Sequence, residues 1–206
     1  MRGSGWCADL LEQLPGLATN LLSARLKDLE AHGLVEQTTL PPPARVKVYR
    51  LTEIGLELAP TIHALARWGL NFLEDAALAS WPPNHSSIAV GMQSVFGSAC
   101  PDGLAGRIAF RFPGGEAGLV FGNGQVTAVR GPIENAQATI DTTPEAMMAL
   151  AAEVLPLDIA AQRGLMKVEG SPETLMAFAK LWEHALDNIP ALRRRKQRLA
   201  AAKAAG

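Results

Sequence analysis

Pro82 and Pro83 stand together in the stretch SWPPNHSS, Ser80 to Ser87, and no helix can run through them. Proline has no amide hydrogen to give to a helical carbonyl, and its ring drives the preceding residue out of the helical region. The neighbours are small and polar, so residues 81–87 are predicted to be a linker. A chain of 206 residues is long enough for a core on each side of such a break. The two sides differ in period: mostly helical spacing with one pair of short strands before the linker, then alternating strands followed by helices. The expected fold class is α+β, with a first domain over residues 1–80, a second over 88–190, and a basic tail over 191–206.

In the first domain, LPGLATNLLSARLKDLEAHGLVE from Leu14 to Glu36 predicts a helix with two unlike faces. Leu22, Leu26 and Leu29 recur at i, i+4 and i+7 with Ala18 on the same side, which makes one apolar face. Asn20, Ser23, Ala24 and Lys27 repeat at i, i+3, i+4 and i+7 on the opposite side. A side chain that reaches a base edge needs amide, hydroxyl or cationic groups without bulk that would hold the backbone away. Thr19, Asn20 and Ser23 meet that need at the N-terminal end of the helix, the end that usually enters the major groove. CADLLEQL before it can form a short helix, and Pro15-Gly16 supplies the turn between the two. The strand-like GLVEQTT and VKVYRLT then bracket the loop LPPPAR. A helix-turn-helix followed by two strands is a winged helix, and Arg45 and Lys47 stand where a wing meets phosphates, which fix register without reading sequence.

LPGLATNLLSARLKDLEAHGLVE, the proline-rich loop ending in Arg45, VYRLTEIG from Val48 to Gly55, and LAPTIHALARWG from Leu58 to Gly69 together resemble the HxlR-type winged-helix transcription regulators. That resemblance implies a homodimer on double-stranded DNA, with Thr19, Asn20, Ser23, Arg25 and Lys27 on the reading helix. By helical projection Arg25 borders the apolar face, where a buried ion pair is the alternative. Two features depart from the family pattern. Only MRGSGW precedes the helix-turn-helix, where the family has a full helix and a short strand. Ala18 occupies a position where the family commonly has a Ser N-cap, at a cost of about 1 kcal/mol unless Thr19 takes over.

In the second domain, RIAFRF alternates strictly, with Ile108, Phe110 and Phe112 on one face and Arg107, Ala109 and Arg111 on the other. AGLVFGNGQVTAVRG predicts a hairpin, because Asn123-Gly124 suits a two-residue primed turn. QATIDTT is a further strand, Thr143 and Pro144 open a helix, and Ser171 and Pro172 open another. This order, with GLMKVEGSPETLMAF before the closing helix, resembles the sterol carrier protein type 2 fold over residues 90–188. The resemblance implies an apolar tunnel for a small-molecule ligand, with Phe110, Phe112, Met147, Met148, Met166 and Met176 as candidate lining residues. Each of these taken singly is more often plain core.

Composition narrows the remaining classes. The chain is 48% hydrophobic and 19% charged, and no apolar run is long enough to cross a bilayer. Asp9 and Glu12 interrupt the first apolar stretch, which does not suit a secretory signal, so a cytoplasmic protein without a membrane partner is expected. Cys7 and Cys100 lack a second Cys or His at metal spacing and read as unpaired thiols. The final RRRKQRLAAAKAAG carries six basic groups and no acidic one, so the rest of the chain is net acidic. That tail reads as the frayed end of the last helix rather than a binding arm. His32, His63, His85 and His184 have no nucleophile or carboxylate at a motif spacing, and GNG is followed by no helix that could cradle phosphate. No catalytic residue, metal site or cofactor is expected, and the protein is not expected to be an enzyme. The expected function is a DNA-binding transcription regulator modulated by an apolar ligand; the alternative is a lipid or hydrophobic small-molecule binder whose DNA domain is inactive.

Overall fold

The computed structural model describes residues 4–5, 10–11, 14, 16–43, 45–72, 85–97, 100–151, 157–190, 192–194, 197–198 and 201. The chain is α+β and divides into two compact units, Met1–Ile62 and His63–Gly206.

The first unit is built on the helix α1, Thr19–Ala31, and a three-stranded sheet of β1 (Ser4–Gly5), β2 (Val35–Thr39) and β3 (Lys47–Leu51) in the order β1-β3-β2. Leu22 and Leu26 are buried on one side of α1, as their spacing requires, and Val35 and Val48 are the buried side chains of β2 and β3. A Schellman motif ends α1: Gly33 N–H donates to the Glu30 carbonyl and Leu34 N–H to the Leu29 carbonyl, with Gly33 at a φ of +69°. The chain then turns straight into β2.

The VYRLTEIG segment has a local physical reason. Thr52 caps α2 (Glu53–Glu57) by accepting from Gly55 N–H at 3.1 Å, and its own hydroxyl donates to the Gly33 carbonyl at 2.6 Å. Gly55 sits against the Leu34 carbonyl, where a Cβ would come within 2.1 Å. Glycine is therefore required for the close approach of α2 to the turn after α1. The helix α3, Ala59–Gly69, follows and continues into a 3-10 turn, Leu70–Phe72.

One expectation for this region changes. The short strand counted as absent is present, because Ser4 and Gly5 pair antiparallel with Arg50 and Tyr49. Of the helix expected over CADLLEQL, Leu10 and Leu11 are helical; most of that stretch, with Cys7 and Pro15, lies outside the described residues.

The second unit has a five-stranded sheet in the order β6-β5-β4-β7-β8. Its strands are β4 (Gly106–Phe112), β5 (Gly115–Gly122), β6 (Gln125–Arg130), β7 (Ala138–Thr142) and β8 (Met166–Gly170). The β5–β6 hairpin turns at Asn123 and Gly124, both at positive φ, as a type I′ turn demands. β7 returns parallel to β4, a long-range pairing that strand periodicity does not reveal. The helices are α4 (His85–Phe96), α5 (Pro144–Ala151), α6 (Leu157–Gln162) and α7 (Pro172–Asn188). Thr143 caps α5 through Ala146 N–H, and Ser171 caps α7 through Thr174 N–H.

One face of the sheet carries the core: Ile108, Phe110, Phe112, Leu119 and Phe121 pack with Ile88, Met92 and Phe96 of α4 and with Leu181 and Ala185 of α7. On the other face the register places Glu116, Arg111, Asp141 and Lys167 side by side across four strands, an alternating row of charge suited to water. Residues 85–87, expected in the linker, form the first turn of α4; residues 81–84 lie outside the described residues. The basic tail also begins differently from expectation. Leu192 is buried with Leu186, Ile189 and Leu70, and Arg194 donates to Asn71, so the tail starts as part of the packing rather than as a frayed end.

Candidate nucleic-acid interface and ligand domain

α1 keeps part of the expected two-faced pattern: Leu22 and Leu26 are buried, whereas Ala18 and Leu29, expected on the same apolar face, are exposed because little among the described residues packs over either end of the helix. Thr19, Asn20, Ser23, Ala24, Arg25 and Lys27 are all exposed. Ala18 is the N-cap and makes no side-chain cap. The expected substitute was Thr19, but it is Asn20 whose Oδ1 accepts from Leu21 N–H at 2.8 Å, covering one of the unpaired donors of the first turn. The outward surface at this end therefore holds the Thr19 and Ser23 hydroxyls and the Asn20 amide group. Arg25 is not in a buried pair. Its Nη1 lies 3.5 Å from the Asp28 carboxylate, an i,i+3 contact with both side chains exposed, which contributes little to stability.

The wing is β2, β3 and the loop between them, closed by Leu40 N–H donating to the Val46 carbonyl. Register places Thr39 opposite Lys47, so both Arg45 and Lys47 are exposed at the tip end. Arg45 has a φ of +43°, a left-handed conformation that costs a residue with a Cβ about 1 kcal/mol or more. Further down the wing, Arg50 Nε lies 2.6 Å from the Glu36 carboxylate directly across the ladder, and Gln37 donates to the Tyr49 hydroxyl at 3.2 Å. These pairs stiffen the ribbon that carries Arg45 and Lys47. They were not singled out from the sequence, although the ladder register would have paired them.

In the second unit Phe110 and Phe112 are buried and stacked at 6.5 Å between ring centroids. Phe110 meets Phe178 edge-on at 5.6 Å, and Phe178 and Phe96 both meet Trp182. Met147 is buried in this cluster and Met166 packs against its border. Met148 lies within α5, and its side chain is outside the described residues. Met176 is the exception among the candidate lining residues. It points outward from α7 at 64% exposure, because the inward face of that helix is already set by Thr174, Phe178, Leu181 and Ala185. The resemblance that makes Met176 a lining candidate does not fix which face the helix turns inward.

Other polar groups have local partners. His63 Nδ1 lies 3.1 Å from Ser94 Oγ, Asn188 bonds His184, and His32 Nδ1 contacts the Asp28 carbonyl. Burial pushes the Cys100 thiol above its ordinary range, which keeps it protonated and unreactive. Among the described residues, no group of three or more His, Cys, Asp or Glu side chains could hold a metal ion, and no helix is long and apolar enough to cross a membrane.

Residues 1–77 match the HxlR-like helix-turn-helix family, and residues 102–183 match the SCP-2 sterol transfer family. The uncharacterized HTH-type transcriptional regulator YvaP of Bacillus subtilis is 33% identical over 79 residues, covering 38% of this chain and 72% of that protein. The uncharacterized HTH-type transcriptional regulator sll1512 of Synechocystis sp. is 38% identical over 74 residues, or 35% of this chain; the chain spans about half the length of that relative, 54%. Similarity to solved structures is low. The UbiJ-SCP2 ubiquinone synthesis protein is 17% identical with a TM-score of 0.36, covering 64% of this chain and 98% of its own. The sterol carrier protein domain 2 of Helicoverpa armigera is 16% identical with a TM-score of 0.38, covering 49% and 84%. The exposed polar residues of α1, the wing and the matched relatives converge: the chain belongs to the HxlR-like helix-turn-helix family and carries an SCP-2 type domain later in the sequence.

Proposed function

We propose that this chain is a cytoplasmic transcription regulator that binds double-stranded DNA as a homodimer and whose operator affinity is biased by an apolar ligand in the second domain. The observation that carries the DNA-binding part is the division of α1, with Leu22 and Leu26 buried and Thr19, Asn20, Ser23 and Lys27 all presented to solvent. Thr19, Asn20 and Ser23 are the base-edge readers, while Lys27, Arg25, Arg45 and Lys47 meet phosphates. α3 supports the dimer: Ile62, Leu65, Trp68 and then Phe72 follow at helical spacing with Leu58 before them, all exposed. A run of large apolar side chains along one helix in water is an interaction surface. The ligand part draws on the match of residues 102–183 to the SCP-2 sterol transfer family, with Phe110, Phe112, Met147, Met148 and Met166 as lining candidates. Neither matched family is an enzyme family, and no catalytic step is assigned.

The test is binding of the full chain to genomic fragments, with Asn20→Ala and Lys27→Ala as paired variants. Asn20→Ala is expected to lose discrimination between fragments, by about 1–3 kcal/mol at the position it reads. Lys27→Ala is expected to weaken all fragments alike and to reduce the salt slope by about one ion. A chain that binds no fragment specifically, with neither variant changing the result, would be a ligand-binding protein with an inactive DNA module.

A further inference from the structure

α4 carries two adjacent polar side chains with different partners. Gln93 Oε1 accepts from Ala128 N–H at 2.7 Å, and its Nε2 donates to the Val126 carbonyl at 3.2 Å. Both backbone groups belong to β6, the terminal strand of the sheet order, whose one flank has no strand neighbour among the described residues. A carboxamide that pairs a carbonyl with the amide two residues on takes the place of the absent strand. Gly97 makes room for it, since a Cβ there would stand 2.3 Å from Gln93 Nε2.

The next residue serves a different element. Ser94 is only 3% exposed, and its hydroxyl donates to the Val90 carbonyl at 2.7 Å. Its oxygen is left to accept from His63 Nδ1, 3.1 Å away on α3. The same stretch of chain is held again past the helix end: Leu70 packs with Leu186, Ile189 and Leu192, and Asn71 accepts from Arg194. His63, Leu70 and Asn71 all belong to the second unit, while α3 itself begins before the division, at Ala59.

We propose that α4 is a transmission element: Gln93 seats it on the edge of β6, Ser94 seats α3 on it, and the firmness of α3 therefore follows the seating of α4 on the sheet. An apolar ligand entering between α4 and the sheet lifts α4 away from β6 and thereby loosens α3. The ligand step rests on the reading of the second domain given above; the link from β6 to α3 does not.

Hydrogen exchange of the full chain, without DNA or ligand, tests that link. Gln93→Ala removes both bonds to β6 and leaves Ser94 and His63 in place. The amides of residues 66–72 are expected to exchange about tenfold faster in this variant, while β4 and β5 keep their protection. Ser94→Ala is expected to raise exchange over the same residues without changing β6. If Gln93→Ala disturbs β4 and β5 as well, Gln93→Glu, which keeps the acceptor for Ala128 N–H, replaces it with the same expected result at smaller amplitude. Unchanged exchange over residues 66–72 in the Gln93 variants, with Ser94→Ala alone active, overturns the proposal. Because no DNA enters the measurement, that outcome leaves the DNA-binding reading standing.

Discussion

The two units close their cores to very different degrees. In the second, Ile108, Phe110, Leu119 and Leu181 are completely buried, and the sheet is covered by α4 and α7. In the first, the buried apolar side chains among the described residues are Leu22, Leu26, Val35 and Val48, while Leu21, Leu29, Ile54, Leu58 and Ile62 remain exposed. Apolar surface left in water forgoes about 25 cal/mol per Å². The second unit captures that energy within itself, and the first leaves much of it available for an interface. The proposed contact with a second copy would bury part of that surface.

The largest expected effect tests the depth of the two cores. Leu181→Ala removes a fully buried side chain from the second unit, and about 3–5 kcal/mol of its stability is expected to go with it. Leu26→Ala in the first unit should cost less, about 2–3 kcal/mol, because its surroundings are thinner and collapse more easily. Calorimetry resolving two transitions would read both, and equal losses would break the contrast.

Next in size is the outward face of α3. Replacing Trp68 and Leu65 by Ser is expected to weaken self-association by more than about tenfold, measured by sedimentation equilibrium. Melting of the isolated protomer should change within about 0.5 kcal/mol, because neither side chain is buried in it. A large loss of protomer stability would show that this face is core rather than interface.

Arg45→Gly sharpens the difference between stability and function. Glycine relieves the left-handed backbone at this position, so the first unit is expected to gain up to about 1 kcal/mol in urea unfolding. DNA affinity should fall at the same time through the lost phosphate contact. A variant that loses both would mean Arg45 braces the wing instead.

The smallest effect lies at the start of α7. The Ser171 hydroxyl donates to Glu173 at 2.7 Å, which lowers the carboxyl below the ordinary glutamate range. A lowered folded value means that the contribution is complete above the unfolded value and is lost as pH falls through the folded one. Glu173→Gln should therefore lower the urea midpoint slightly at neutral pH and converge with the parent as pH falls from about 5 to 3, where the parent loses the same contribution. A midpoint lowered equally at neutral pH and below about pH 3 would assign Glu173 a packing role instead.

Much of this was legible before any coordinates because it depends on local chemistry. The caps at Thr143 and Ser171, the primed turn at Asn123-Gly124 and the alternation of Ile108, Phe110 and Phe112 each involve neighbours within a few residues. The two-faced α1 is of the same kind, since 3.6 residues per turn sorts Leu22 and Leu26 from Asn20 and Ser23 without outside help. The outward turn of Met176 escapes the sequence for a different reason. A helix can turn either way about its axis, and only Phe178 and Leu181 together with the sheet decide which side of α7 faces inward. β1 escaped notice because two residues carry no period, and Ser4 and Gly5 become a strand only where β3 offers a free edge.

By itself, the amino-acid sequence determined the element types, their caps and turns, and the small polar face of α1, all of which are set by short-range sterics and hydrogen bonding. Tertiary structure decided the rest: that β4 runs parallel to β7, that Gln93 and Ser94 reach different elements from one helix, and that the outer side of α3 stays apolar in water. Those outcomes depend on groups far apart in the chain, whose meeting is governed by the surface they bury together rather than by the residues beside them.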